Sequence, residues 1–253
     1  MASDKPKADF GNVKSSVTSS APVKPKADFE IRLVEPFREA SSSSGSYQGP
    51  PQDGSRPGIF YVNAYDLKAR PRYAMESLYL HEATPGHHFQ IALQRELTEL
   101  PAFRRFGGET AYNEGWGLYA ESLGKELGVY TDPAMYFGAL SAELWRSIRL
   151  VTDTGIHAKG WTRQQVLDFM YANSAVEPAV AISEAERFMA IPGQALAYKI
   201  GELKIRELRT RAEKALGPKF DLRAFHTEVL KDGSLPLGVL EAKIDRWIAT
   251  QAA

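Results

Sequence analysis

Residues 80–90 of the chain read Leu-His-Glu-Ala-Thr-Pro-Gly-His-His-Phe-Gln and contain three of its five histidines. A Pro-Gly pair at 85–86 separates His81 from His87 and His88. Proline cannot donate the hydrogen bond that a helix interior needs, and glycine adopts backbone conformations that other residues avoid. The stretch therefore predicts a helix that ends or kinks at this pair.

The same stretch carries a metal-ligand pattern. In zinc hydrolases two histidines bind the metal, and a glutamate directly after the first accepts a proton from the metal-bound water. The second histidine normally follows one helical turn after the first, but Pro85 holds that position here, and on an unbroken helix His88 would lie about 10 Å beyond His81. A two-residue bulge would select His87 and a three-residue bulge His88. We expect His81 and, by preference, His87 as ligands, with Glu82 as the base; partly exposed histidines at a helix corner are the alternative.

A third ligand is expected from residues 111–121, Ala-Tyr-Asn-Glu-Gly-Trp-Gly-Leu-Tyr-Ala-Glu. The chain has no cysteine, and His157 and His226 stand alone, so an acidic residue is considered as the ligand that completes a tetrahedral zinc site. Glu114 and Glu121 lie two turns apart on one helical face, and Gly115 and Gly117 would let another helix approach closely. We predict Glu114 as the third ligand and Glu121 as the carboxylate that orients an imidazole. Two solvated or ion-paired glutamates are the alternative.

A further polar stripe follows at helical spacing, and it consists of Arg146, Arg149, Asp153 and His157. Asp153 precedes His157 by one turn and could hold its imidazole in one tautomer. A histidine or arginine beside a zinc ion would stabilise the oxyanion that forms when water attacks a carbonyl. His157 is therefore a predicted catalytic residue, and a purely structural Asp–His pair is the alternative.

Three cations are candidates for binding a substrate carboxylate, although most such side chains are simply solvated. These cations are Arg149, Arg187 and Lys199.

Composition limits the classes of partner. Of the 253 residues, 43% are hydrophobic, and 31 basic residues balance 31 acidic ones. A neutral chain gives no reason to expect nucleic acid, and no apolar stretch approaches the roughly 18 residues of a membrane span. The absence of cysteine excludes disulfides. Because the first residues include no apolar signal segment, we expect a cytoplasmic protein unless an export signal has been removed.

The chain divides into a leader and a domain. The hexapeptide Lys-Pro-Lys-Ala-Asp-Phe occurs at 5–10 and again at 24–29. Its Lys- and Pro-rich surroundings predict a flexible leader over 1–28. We expect one helical, metal-dependent hydrolase domain over 29–253.

Within that domain a small β element should precede the helices. Phe29–Pro36 and 58–63 predict two strands that pair, and the serine- and glycine-rich segment 41–57 predicts a long loop. Strand 58–63 could be an edge to which an extended peptide adds, and a small structural β-hairpin is the alternative. From Arg72 onward the pattern is helical, which makes the fold mainly α. Capping signals predict helix starts at Asp132, Thr162 and Ser183 and helix ends at Gly217 and Gly233.

These motifs together resemble known families. His81-Glu82 with the later histidine, followed by Asn113-Glu114-Gly115-Trp116, is similar to the two-helix zinc signature of the gluzincin metallopeptidases. With Asp153-Thr-Gly-Ile-His157-Ala-Lys-Gly-Trp161 and Pro192-Gly-Gln-Ala-Leu-Ala-Tyr198-Lys, the chain more closely resembles the bacterial family called domain of unknown function 885. The resemblance runs from about Phe29 to Trp247 and covers the C-terminal, metal-bearing part of a longer family.

The resemblance implies a gluzincin-like helical fold. It also implies that the hydroxyl of Tyr198 donates to the tetrahedral intermediate. We therefore expect a hydrolase with one zinc ion that acts on a peptide, with no nucleic acid or membrane partner. An esterase or amidase acting on another small carbonyl substrate is one alternative. The other is a non-catalytic, metal-binding remnant of a longer enzyme, which would form a homo-oligomer if apolar surface is left uncovered.

Overall fold

The computed structural model describes residues 24–252 and is mainly helical, with a three-stranded sheet before the helices. The strands are β1 (Phe29–Leu33), β2 (Gly45–Gln48) and β3 (Gly58–Val62). The helices are α1 (Met75–Glu82), α2 (His87–Glu96), α3 (Ala102–Phe106), α4 (Thr110–Ser122), α5 (Pro133–Lys159), α6 (Arg163–Asn173), α7 (Pro178–Ala190), α8 (Gln194–Leu216), α9 (Leu222–Leu230) and α10 (Leu237–Ala252). None of these helices combines the length and the apolar composition needed to cross a bilayer.

Of the two copies of the repeated hexapeptide, the structure describes the second, at 24–29. The first copy, at 5–10, lies outside the described residues. In the second copy the backbone N–H groups of Lys26 and Ala27 donate to Glu96 Oε1 at 2.6 and 3.0 Å. The end of the predicted leader is therefore attached to α2.

The sheet confirms the pairing of the two predicted strands, but two other expectations were wrong. β3 lies in the centre, parallel to β1 and antiparallel to β2, so it is not an edge that a peptide could extend. β2 lies within the segment predicted to be a loop. Its glycine, serine and glutamine have low strand propensity. The strand forms because tertiary contacts hold it: Gly45 is packed against Leu78, and Tyr47 against His88.

The helix-start signals were mostly confirmed. The Asp132 side chain accepts from the Ala134 N–H, and Thr162 forms a complete capping box with Gln165. The start predicted at Ser183 was wrong, because α7 already begins at Pro178. Proline is favoured in the first turn of a helix, since its missing N–H has no partner there anyway. Gly217 ends α8 with a positive φ of 51°.

Helices α4 and α8 make the closest crossing in the core. A Cβ added to Gly115 would lie 2.5 Å from Gly201 Cα, and one added to Gly201 would lie 1.8 Å from the Ala111 carbonyl oxygen. Trp116, Ile205 and neighbouring apolar side chains form the main hydrophobic cluster around this crossing. The prediction that Gly115 admits another helix is confirmed. The crossing fixes α8 against the helix that carries Glu114 and Glu121.

Candidate metal centre

The Pro-Gly break turns the chain between α1 and α2. His81 lies in the last turn of α1 and His87 in the first position of α2, and their ring centroids are 4.6 Å apart. Only glycine fits at Gly86, because a Cβ there would lie 1.9 Å from the His81 carbonyl oxygen. The indole of Trp116 donates to the Pro85 carbonyl at 2.7 Å and fixes the turn to α4. The break therefore brings the two imidazoles together, as a bulge was expected to do.

Glu114 completes a group of three potential ligands. Its Oε2 lies 3.5 Å from His81 Nε2 and 3.3 Å from His87 Nε2. One potential ligand atom from each residue lies within 4.8 Å of the other two. Two ligands held at about 2.05 Å by one tetrahedral zinc ion would be about 3.3 Å apart. The spacing to the Glu114 carboxylate therefore suits a single ion.

His88, the alternative second ligand, does not join this group. Successive helix residues are rotated by about 100°, so His88 points away from His87. Its Nδ1 lies 2.9 Å from the Tyr47 hydroxyl, and its ring centroid lies 4.6 Å from that of Phe29. His88 connects the sheet to α2.

Glu121 has the orienting position that the sequence predicts. Its Oε1 accepts from His81 Nδ1 at 2.8 Å and from Arg146 Nη2 at 3.0 Å. The Ser77 hydroxyl donates to its other oxygen. A Cβ at Gly117 would lie 2.7 Å from the His81 ring, so this glycine accommodates the imidazole and not a second helix. These contacts hold His81 with Nε2 directed toward Glu114.

The electrostatics of the group favour positive charge. Burial alone would lower the pKa of His81, but the nearby carboxylates of Glu114 and Glu121 raise that pKa to about 9. Burial would raise the pKa of Glu114, but the imidazoles of His81 and His87 hold it well below its usual range. Glu121 is likewise buried, and Arg146 lowers its pKa. Either a proton or a metal ion would satisfy these carboxylates.

Glu82 lies buried beside the ligands, and its Oε2 has no hydrogen-bond partner within residues 24–252. Glu114 Oε2 is also buried and receives no hydrogen bond there. Burial raises the pKa of Glu82, while the charges of His81 and His87 act in the opposite direction. Buried polar atoms without partners are costly. Two orphaned carboxylate oxygens at one place fit a site that takes up a cation and a polar substrate.

Tyr198 reaches the group from α8. Its ring stacks on that of His81 with 6.0 Å between centroids. The Gln194 side-chain amide donates to Tyr198 Oη at 3.1 Å and to Glu114 Oε1 at 3.2 Å. Gln194 precedes Tyr198 by one helical turn, but nothing in the sequence distinguishes it as a functional residue. One amide therefore links the ligand carboxylate to the tyrosine hydroxyl.

Two of the three candidate cations lie near this tyrosine. Arg149 and Arg187 both bond to the buried carboxylate of Glu184, which sequence analysis missed because nothing in α7 marks it out. Lys199 instead forms ion pairs with Glu143 at 2.8 Å and Glu202 at 3.0 Å. Lys199 is therefore paired with two carboxylates, whereas the two arginines share one, so the arginines are the better candidates for binding a substrate carboxylate.

His157 does not meet the metal ligands. It is exposed near the end of α5, about 12 Å along the helix beyond Arg149. Its Nε2 donates to the Phe188 carbonyl at 2.9 Å. Asp153 accepts from the Gly193 N–H at 3.1 Å and orients the start of α8 instead of an imidazole. We therefore leave His157 out of the site, because helical spacing alone does not show which part of a long helix faces the ligands.

A protein-family model described as "Bacterial protein of unknown function (DUF885)" matches residues 5–244. No curated protein shows significant similarity to the chain.

Two solved structures show the same fold. One is described as the crystal structure of the "putative lipoprotein" from Colwellia psychrerythraea; it is 42% identical with a TM-score of 0.93, over 95% of this chain and 41% of that one. The other, from Shewanella oneidensis, is described as a "putative lipoprotein of unknown function". It is 24% identical with a TM-score of 0.75, over 92% of this chain and 44% of that one, and at this identity the likeness concerns the fold alone. The chain thus spans less than half the length of either solved chain.

Proposed function

The chain belongs to the DUF885 family of bacterial proteins of unknown function, and we propose that it is a zinc-dependent hydrolase that cleaves peptide bonds. The observation that carries this proposal is the placing of Glu114 Oε2 3.5 and 3.3 Å from the Nε2 atoms of His81 and His87. A donor set of two imidazoles and one carboxylate is typical of catalytic zinc and leaves a fourth position for water. The motif resemblance to gluzincin peptidases agrees with this donor set.

The residues around the ligands have the positions that peptide hydrolysis needs. A bound zinc ion would polarise the scissile carbonyl and lower the pKa of a water molecule to about 7. Glu82, buried beside the ligands with an unpartnered oxygen, accepts the proton of the attacking water and passes it to the leaving amine. Tyr198 accepts from Gln194, so its own hydroxyl proton is available to donate to the oxyanion.

Metal content is the first test of the proposal. The purified full chain is expected to contain about one zinc ion per molecule, measured by plasma mass spectrometry, and His81→Ala to contain less than a tenth of that. His157→Ala is the matched control and should keep its zinc, because His157 lies outside the ligand group. A wild-type protein that takes up no zinc at micromolar free metal would contradict the proposal.

The reaction class is decided with the zinc-loaded protein and a panel of blocked peptides and nitrophenyl esters. Peptide cleavage that disappears on chelation and returns with zinc supports the peptidase assignment. Cleavage of esters alone would replace it with the esterase alternative, since the same residues can serve both reactions. Bound zinc with no turnover on any substrate would favour the non-catalytic alternative.

Glu121→Gln is expected to lower zinc affinity by about 10–100-fold, because the neutral amide holds the His81 imidazole less firmly and loses the charge that Arg146 pairs with. Competition with a chromophoric chelator measures the affinity. Glu126→Gln is the matched control, since Glu126 is an exposed partner of Arg209. Equal zinc affinity in Glu121→Gln and wild type would refute the orienting role.

The location of the protein in the cell is a separate proposal. The solved structure from Colwellia psychrerythraea is described as a "putative lipoprotein", which favours an exported location over the cytoplasmic one expected from the sequence. Fractionation of cells that produce the full-length gene product would decide between the two compartments.

A further inference from the structure

We infer that Arg149 and Arg187 form a subsite for a substrate carboxylate, so that the preferred substrates are peptides cleaved one residue before a free C-terminus. The cleavage itself rests on the proposed function, whereas the subsite is a binding property of the chain.

The two arginines share one buried carboxylate. Glu184 Oε1 accepts from Arg187 Nη1 at 3.3 Å, and its Oε2 accepts from Arg149 Nη2. Two guanidinium groups share this one carboxylate, and the next carboxylate whose charge acts on Arg149 is that of Glu114, the potential metal ligand. The cluster therefore carries an excess of positive charge when Glu114 binds a metal ion. An unbalanced charge in a weakly polar environment strongly favours an anionic ligand. Arg146 contributes no such excess, because it is paired with Glu121.

The arginines also have free hydrogen-bonding capacity. Arg149 is 7% exposed, and its Nε is buried without a hydrogen-bond partner within the described residues. The side chain of Arg187 is 31% exposed and is therefore accessible to a ligand. Guanidinium groups bind carboxylates through parallel N–H donors, which makes arginine well suited to this ligand.

The subsite lies one side chain away from the metal ligands. The Arg149 guanidinium carbon is 4.7 Å from the centre of the Tyr198 ring, which stacks on His81. Arg187 donates to Gln194 Oε1 at 3.2 Å, and Gln194 donates to Glu114 Oε1 at 3.2 Å. Through Tyr198, the guanidinium carbon of Arg149 lies at most about 11 Å from the centre of the His81 ring. That span accommodates a carboxylate on the guanidinium, one extended residue of roughly 3.5 Å, and a carbonyl at the metal ligands. This distance selects substrates with a free α-carboxylate on the residue after the scissile bond.

The test compares N-benzoyl-glycyl-phenylalanine with its C-terminal amide on the zinc-loaded full chain. The free acid should have a kcat/KM at least about 30-fold higher than the amide. Arg187→Gln should remove most of that preference, mainly by raising the KM for the acid. Arg187→Lys should restore part of it. Arg163→Gln, an exposed arginine paired with Glu186, is the matched control and should behave as wild type.

Equal rates for acid and amide in the wild type would overturn the inference. A similar loss of the acid and amide rates in Arg187→Gln would also overturn the inference. It would show that Arg187 positions Tyr198 and Gln194 and does not bind the substrate carboxylate. If the wild type cleaves neither peptide, the proposed reaction fails and calorimetric binding of the same two peptides decides the subsite. Tighter binding of the acid that is lost in Arg187→Gln supports the subsite, and equal binding overturns it.

Discussion

Glu82→Gln is expected to hold one zinc ion per chain and to hydrolyse peptides about 10²–10⁴ times more slowly than wild type. Glutamine has nearly the shape of glutamate, so the buried position next to His81 stays filled and the ligands keep their places. It cannot accept a proton, however, and the attacking water and the leaving amine lose their proton carrier. Turnover is measured on zinc-loaded protein with the best peptide from the substrate panel, together with metal content.

Glu186→Gln is the matched control, because Glu186 is exposed on α7 and paired with Arg163. It should keep both zinc and turnover. If Glu82→Gln retained more than about a third of wild-type kcat with full zinc content, the general-base assignment would be wrong. If it lost zinc as well, the experiment would show that Glu82 supports the ligands, and the base would have to be sought elsewhere.

Gly201→Ala should destabilise the protein by about 3 kcal/mol or more, one of the largest effects expected of a single methyl group. The added Cβ would lie 1.8 Å from the Ala111 carbonyl oxygen and 2.7 Å from Gly115 Cα. Both contacts are with backbone atoms, so no side chain can rotate away, and α8 must move from α4. Urea unfolding followed by circular dichroism measures the loss of free energy from the shift of the midpoint.

Gly238→Ala provides the control for this experiment. Gly238 is exposed in the first turn of α10, and a Cβ there would meet nothing within 4 Å. Alanine has the higher helix propensity, so this change should leave stability unchanged or raise it by up to about 1 kcal/mol. A Gly201→Ala protein as stable as Gly238→Ala would contradict the close crossing of α4 and α8.

The grouping of His81, His87 and Glu114 was largely predictable because its signals are local. The Pro-Gly break and the limits of helix geometry restricted the second ligand to His87 or His88, and the structure places His87 beside His81. Glu114 could be expected because Gly115 and Gly117 follow it within a predicted helix, where glycine is unfavourable unless packing or function requires it. In each case one helix, or the junction of two, determines where the side chains lie.

The incorrect predictions involve tertiary packing. β2 has little strand propensity and is held by contacts with α1 and α2. Glu184 and Gln194 become relevant only because α7 and α8 bring them to the arginines and to Glu114. The spacing of residues within one helix does not predict which residues of another helix they will contact.

The Pro-Gly break also affects how related sites can be recognised. His87 follows His81 by six residues, and the turn restores a geometry that an unbroken helix reaches in four. A pattern search limited to the one-turn spacing would pass over every protein built in this way. Sequences with His-Glu, a Pro-Gly pair and a histidine directly after it, followed by Asn-Glu-Gly-Trp, are the ones to collect and to assay for bound metal.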